Sequence, residues 1–347
     1  MSAWEKALDK YGLMIEERLS SFMEKEVKGA SDYHDFIGRS YCNFRGYLAR
    51  RGKRLASCST LLVYNGFNKE IDDRILHVCV GIELYRHSIL VHDDLVDRDE
   101  LRRGDSTIHK KYSQEHDTRF GDGLAVFAGN ILYALALKAL TSSGFEPSKV
   151  VQVLDMLNDA FRAVNESQIL DLLFEYEKPD VNEWYVMASK RAASLFKASL
   201  LIGAVLADAS DKDLQLLQEA GEHIGYCFDI QDDIIDTFAS EEQYGRKPGG
   251  DISKHKKPLH VVYAYMMADP AQLEMIESAA HMGILEDLDR TRKVISDCGA
   301  LEAAKSRSRE HAESAKKLIS ETNMSAEVKD FFISFIDYVK ESLNWYK

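Results

Sequence analysis

The stretch HDDLVDRDELRRG, residues 92–104, sets Asp93, Asp94 and Asp97 within about one helical turn of each other and then follows them with paired arginines. On a helix Asp93 and Asp97 share a face and Asp94 sits beside them. A second stretch, FDIQDDIID at 228–236, repeats the frame, with Asp229, Asp232, Asp233 and Asp236 on a stripe of three-and-four spacing. Each like-charged pair so placed costs a helix about 0.2–0.5 kcal/mol. The apolar neighbours Ile89, Leu90, Leu95 and Val96, and Phe228, Ile230, Ile234 and Ile235, read as core helices, where an unpaired carboxylate costs more. A single acidic pentapeptide is most simply a solvated helix end. Two of them in matching apolar frames require a bound cation.

Working outward, the same helical period runs through nearly all of the 347 residues, with only 5 prolines and no recurrent Val/Ile/Thr-rich alternation. The expected fold class is all-α, one domain over residues 1–347 with about ten or more helices and no linker-like shift in composition. Joints are expected at KGASD (28–32), GFEPS (144–148), EKPD (177–180), DASD (208–211) and ADPAQ (268–272). Asp180 with Glu183, and Asp269 with Gln272, have capping-box spacing, the latter with Pro270 at the first helical position. Two polar stretches, 98–123 and 240–257, directly follow the acidic segments.

A net charge of -13 opposes nonspecific nucleic-acid binding, which needs a basic field. Cys42, Cys58, Cys79, Cys227 and Cys298 lack CxxC spacing and read as reduced, mostly buried thiols of a cytoplasmic protein. The N-terminal MSAWEKALDKYGLMIEERL mixes acids and bases, unlike a signal or transit peptide, and no uninterrupted apolar run reaches membrane-spanning length. GRKPGGD lacks the GxxxxGK[ST] pattern of a phosphate loop.

Oxygen-only ligands favour a hard ion, and magnesium, which few carboxylates hold while substrate phosphates complete its shell, fits best. Basic residues should then lie nearby. Arg50, Arg51, Lys53 and Arg54 form a knot in ARRGKR; Arg102 and Arg103 trail the first cluster. Lys190 and Arg191 are expected in a helix, and Lys247, Lys254, Lys256 and Lys257 follow the second cluster. His87 and His92 lie near the acids, but their spacing of five puts them on different faces, so both read as structural.

GKRL (52–55), HDDLVDRDELRRG, QILD (168–171), KRAASLF (190–196), DDIID (232–236) and KPGGDISKHK (247–256) occur in the order of one family over about 50–260. On them the chain resembles the trans-isoprenyl diphosphate synthases of the polyprenyl synthetase family. The resemblance implies a helical bundle around a deep central cavity and a prenyltransferase that joins isopentenyl diphosphate to an allylic diphosphate. It implies that Asp93, Asp97 and Asp232 are the main ligands of three magnesium ions on the allylic diphosphate, with Asp94, Asp233 and Asp236 as further or water-mediated ligands. Gln168 and Asp171 match the Gln-x-x-Asp near the metals; Arg102, Lys190, Lys247 and Lys256 would add to the allylic diphosphate. Lys53, Arg54 and Arg103 would hold isopentenyl diphosphate, and a homodimer is implied. The diphosphate itself is the implied proton acceptor.

Four positions depart from the family pattern. Ala56 stands where a second arginine is usual, and Arg86, where His or Gln is usual, offers a replacement guanidinium. Arg191 replaces a threonine and Asp229 a glutamine, opposite charges that suggest a compensating ion pair. Along the helix leading to Asp93, Ile89, Ser88 and Tyr85 are successive depths of the implied tail cavity. One turn rises about 5.4 Å, close to an isoprene unit, so Tyr85 would floor a twenty-carbon chain and geranylgeranyl diphosphate is the expected product. Farnesyl or longer products are the alternatives, and dimethylallyl, geranyl and farnesyl diphosphates are all candidate primers. A class I terpene cyclase would lack the second DDxxD, and a regulatory subunit would have eroded aspartates; both acidic motifs are intact here.

Overall fold

The computed structural model describes residues 3–50, 52–244, 247–282 and 285–343, and within 278–287 the backbone alone. These residues form seventeen helices and one two-stranded hairpin, so the all-α expectation holds. They group into two compact units, Met1–Asp155 with Ile202–Ala209, and Met156–Leu201 with Ser210–Lys347.

The first unit contains α1 (Ala3–Tyr33), α2 (Asp35–Leu48), α3 (Leu55–Gly66), α4 (Asp73–Val96), the hairpin β1 (Leu101–Arg102) and β2 (Asp105–Ser106), α5 (Ile108–Ser113) and α6 (Thr118–Thr141). The helix α7 (Pro147–Phe174) begins in it. The central element is α4, which packs on α6, α1 and α3. Asp72 starts it by accepting from the backbone nitrogens of Arg74 and Ile75 at 3.0 and 3.2 Å, which satisfies donors left open at a helix N-terminus. Ile75, Ile82 and Leu84 of α4 are fully buried with Tyr47 and Leu61, each such side chain contributing about 1.5–3 kcal/mol.

The second unit holds the rest of α7, then α8 (Val181–Ala188), α9 (Ala192–Leu206, whose end belongs to the first unit), α10 (Asp211–Phe238), α11 (Glu241–Tyr244) and α12 (Gly250–Ser253). After these come α13 (Leu259–Met267), α14 (Pro270–Met282), α15 (Leu285–Asp297), α16 (Ala300–Glu321) and α17 (Ala326–Val339). Here α10 is the spine, packed on α16, and Trp184, Met187, Ile230, Ile234, Leu259 and Val262 share one core cluster.

Four of the five expected joints fall between helices, and both capping boxes form. Glu183 N donates to Asp180 and Asp180 N to Glu183, each at 2.9 Å. Asp269 and Gln272 exchange the same two bonds at 2.9 Å. KGASD is different: α1 runs through it to Tyr33, and the break comes at His34, whose Nδ1 accepts from Phe36 N. Packing overrides the weak local signal there, because α2 approaches so closely that a Cβ on Gly38 would lie 2.3 Å from Ser31 Oγ. By length and composition α6 is the one described helix apolar enough to cross a membrane; it packs on α4 and α5. All five cysteines are unpaired, with Cys58, Cys79 and Cys227 buried.

Candidate active site

In the first unit the acidic stretch ends a helix: Asp93 and Asp94 occupy the last turn of α4 and Asp97 is its C-cap. Carboxylates there oppose the helix dipole, so they need a cation. The trailing arginines supply it through a tight hairpin whose two central residues, Arg103 (φ 54) and Gly104 (φ 81), are both left-handed, as a type I′ turn requires. This turn brings Arg102 back onto the helix end, with Nε 2.6 Å from Asp94 Oδ1 and Nη2 3.2 Å from Asp93 Oδ2. Tyr47 of α2 donates its hydroxyl to the other Asp94 oxygen at 2.7 Å. Burial raises the Asp94 pKa, against the pull of Arg102 and Tyr47.

The basic knot divides by role. Arg50 clamps the hairpin, donating to the carbonyls of Arg102, Asp105 and Ser106 at 3.1, 3.2 and 2.7 Å while its guanidinium lies over the Tyr47 ring. Arg51 lies outside the described residues. Lys53 sits over the Trp4 ring, its pKa lowered by burial. Arg54, expected to hold a diphosphate, is instead built into the scaffold: Nε donates to Glu16 at 2.8 Å, Nη1 to Glu83 at 2.7 Å and Nη2 to the Leu48 carbonyl at 3.1 Å. Its side chain is 1% exposed, with a protein partner at each of its three nitrogens. Glu83, the acid that claims it, also accepts from Ser57 Oγ at 2.5 Å and was not anticipated. Its only sequence signal is a lone acid in the apolar run before the aspartates.

Arg103 reaches back to the Arg50 carbonyl at 3.2 Å and crosses Gly52, where a Cβ would come within 2.5 Å of its guanidinium carbon. Burial lowers its pKa, Glu83 raises it, and the guanidiniums of Arg86, Arg102 and Arg54 lower it further. Positive charge that depresses its own members is a place for an anion. The half-buried Arg86 of α4 belongs to this patch.

The two histidines are structural. His87 is buried with Nδ1 2.7 Å from the Glu83 carbonyl, and burial pushes its pKa down to about 4. His92 lies in the space a Cβ on Gly129 would fill, 2.1 Å from its Nε2. Tyr85, Ser88 and Ile89 are buried on α4; the Tyr85 ring lies 6.4 Å from that of Tyr133 on α6, and Ser88 Oγ donates to the Tyr85 carbonyl at 2.8 Å.

In the second unit the stripe on α10 begins with two glycines. A Cβ on Gly221 would lie 2.6 Å from Lys197 Cα and one on Gly225 2.3 Å from Ala193 Cα, so α9 and α10 touch along their backbones. One and two turns on, the same face presents Asp229 and Asp233. Lys190 and Arg191 are not in a helix as expected but in the tight turn between α8 and α9, where each amide bonds three residues back. That turn aims Arg191 along the stripe: Nε is 2.8 Å from Asp229, Nη2 3.1 Å from Asp233 and Nη1 3.5 Å from Asp171 of α7. The ion pair suggested by the charges at 191 and 229 is therefore present. Lys256 reaches the other oxygen of Asp171 at 3.2 Å. Gln168, half-buried, lies one turn before Asp171 on α7. Lys190 instead pairs with Glu166, and Lys247 is exposed.

KPGGDISKHK folds over the end of α10. Gly249, at φ 85, donates to the Asp236 carbonyl at 2.7 Å, and Asp251 N donates to the Asp236 carboxylate at 3.0 Å. This sets the half-buried Asp251 against Asp236; it is a second unanticipated acid, whose only sequence signal is its place inside the matched motif. Burial pushes its pKa up to about 8, helped by Asp236. Burial raises Asp229 to about 6 and Asp233 well above the carboxylate range, against the pull of Arg191. These acids exceed what Arg191 and Lys256 neutralise, which suits a further hard cation. Among the described residues no three His, Cys, Asp or Glu side chains converge to hold a metal alone. Magnesium fits that condition, since it takes few carboxylates and completes its shell from phosphate oxygens.

The family model described as polyprenyl synthetase matches residues 41–297. The chain belongs to the polyprenyl synthetase family. As such it is a prenyltransferase, and its motifs lie within the matched region. This synthetase is 32% identical over 257 residues to the short chain isoprenyl diphosphate synthase of Methanocaldococcus jannaschii, covering 74% of this chain and 72% of that protein. It is 32% identical over 299 residues to the geranylgeranyl pyrophosphate synthase of Geoglobus acetivorans, covering 86% and 89%. It is 31% identical to the geranylfarnesyl diphosphate synthase of Aeropyrum pernix, covering 84% and 90%. The crystal structure of a Corynebacterium glutamicum geranylgeranyl pyrophosphate synthase complexed with isoprenyl diphosphate and magnesium shares the fold, with a TM-score of 0.91 at 21% identity, covering 96% and 99%.

Proposed function

We propose that this synthetase joins isopentenyl diphosphate to an allylic diphosphate, with geranylgeranyl diphosphate as its main product. The observation that carries the reading is the pair of acidic helix segments, each holding buried aspartates against an arginine, in a chain of this family. Asp93, Asp97 and Asp232 would hold magnesium, with Asp94, Asp171, Asp233 and Asp236 as further ligands or as anchors of them. Magnesium, three ions with the diphosphate bound, supplies charge that stabilises the departing diphosphate more in the transition state than in the ground state. Asp94 orients the others, because its two oxygens already accept from Tyr47 and Arg102.

Arg102, Gln168, Lys190, Lys247 and Lys256 would bind the allylic diphosphate. Lys53, Arg86 and Arg103 would bind that of isopentenyl diphosphate, while Arg54 braces them from below. Ionisation of the allylic group leaves a cation that the isopentenyl double bond attacks, and a proton then leaves to the released diphosphate. Tyr85, packed on Tyr133, would limit the tail, with Ser88 and Ile89 above it. We further propose that residues 1–347 act as one catalytic domain, in the cytoplasm and as a homodimer.

The test is a product assay with purified protein, magnesium, labelled isopentenyl diphosphate and dimethylallyl, geranyl or farnesyl diphosphate in turn, the dephosphorylated products being sized. A twenty-carbon alcohol is expected. A longer ladder would reject Tyr85 as the floor but keep the chemistry, and cyclic hydrocarbon or no condensation would reject the synthase reading.

A further inference from the structure

Both basic residues of GKRL are met by α1, a helix that lies wholly ahead of residues 41–297 matched to the family. Trp4, Leu8, Tyr11, Ile15, Leu19 and Phe22 are buried at three-and-four spacing, so one apolar stripe pins α1 against α2, α3 and α4. Trp4 opens that stripe at 4% exposed, and the Lys53 ammonium lies over its ring, 5.2 Å from the centroid. Farther along the same helix, Glu16 accepts from Arg54 Nε at 2.8 Å. Arg54 is left-handed (φ 47) and bonds Glu83 and the Leu48 carbonyl as well, so the backbone from which Lys53 starts is fixed too. Burial lowers the Lys53 pKa and the Glu5 carboxylate, beside Trp4 in the chain, raises it. The first turn of α1 therefore both aims this ammonium and helps to keep its proton.

A lysine is among the side chains that lose most rotamer freedom when a ligand fixes them, and holding it in place beforehand removes that loss from the binding step. An aromatic face attracts an ammonium without neutralising it as a carboxylate would. We infer that Trp4 is a positioning residue for isopentenyl diphosphate: its ring face holds the Lys53 ammonium where the diphosphate of that substrate binds, which makes the first turn of α1 part of the isopentenyl site. The inference deepens the synthase reading above and rests on it. A core tryptophan along which a lysine stem merely lies would act through packing alone, and the electron density of the ring separates the two cases.

The experiment incorporates tryptophan carrying none, one, two or three ring fluorines at position 4, which drains the ring face of electron density at nearly constant shape, and measures KM for both substrates. The KM for isopentenyl diphosphate is expected to climb stepwise with fluorination, to about three- to tenfold in the most fluorinated protein, while kcat and the KM of the allylic primer stay within about twofold. W4L should show the same selective rise and W4F a smaller one. In a K53M background the series should leave the isopentenyl KM flat, because the cation is gone. A flat series in the natural background would overturn the inference alone, as would a rise shared equally by both substrates or one that persists in K53M. Failure of the natural protein to condense any primer would overturn the synthase reading and this inference with it. The fluorinated side chains are nearly isosteric with tryptophan, so the series decides even where W4L does not fold.

Discussion

Arg54 shows how much a residue's partners matter beyond its motif. It stands in a GKRL segment where a ligand-binding arginine is expected, yet Glu16, Glu83 and the Leu48 carbonyl take its three nitrogens. Removing one member of a buried pair leaves the other charged and unpartnered, which costs about 3–5 kcal/mol. Arg54→Ala should therefore lower stability by about that amount in urea denaturation. Lys53→Ala should leave stability within about 0.5 kcal/mol and raise the KM for isopentenyl diphosphate instead. The opposite pattern, a stable Arg54→Ala protein with a raised KM, would return Arg54 to the ligand. Neither Glu16 nor Tyr47 was legible as a partner, because residues 38 and 47 positions from those they bind share no local period with them.

At the scale of elements, the α9–α10 contact sets the geometry of the second acidic cluster. Gly221 and Gly225 let the two backbones meet, and Arg191 enters one turn beyond that contact. A methyl group on Gly225 would lie 2.3 Å from Ala193 Cα, backbone that has no rotamer with which to yield. Gly225→Ala should therefore cost about 1–3 kcal/mol, as overpacking does, and weaken binding of the allylic substrate as Arg191 moves from Asp229. Gly46→Ala on the open face of α2, with nothing within 4 Å, should instead stabilise by about 1 kcal/mol through helix propensity. Chemical denaturation of both variants checks this; equal shifts would mean the close approach is not limiting. The sequence gives GEHIG no special status, since two glycines four apart in a polar helix read as mere weak helix formers.

For the whole molecule, the raised acids of the second cluster make a contribution to stability whose pH dependence is opposite to the usual acid denaturation, to which the lowered Glu83 and Asp213 contribute in the ordinary sense. Asp229 and Asp251 are raised to about 6 and about 8, so the folded chain keeps protons that the unfolded chain has already released. Their contribution is full below the ordinary carboxylate range and is lost as pH rises through these values. His260 and His311, lowered by burial to about 3 and about 4, act with the opposite sign and only below the ordinary histidine range. Between about pH 6 and pH 8, without divalent ions, the melting midpoint of Asp251→Asn should therefore rise relative to the natural protein; parallel curves would show that Asp251 is ionised throughout. The all-α class, most helix joints, both capping boxes and the two acidic frames were determined by the sequence alone, because helical period, caps and DDxxD spacing are local. What the tertiary structure decided is which charges remain available. Burial and cross-helix pairing built Arg54 into the scaffold, put Arg191 across three acids and set Asp251 against Asp236, since desolvation and partner distance depend on elements that the chain brings together only on folding.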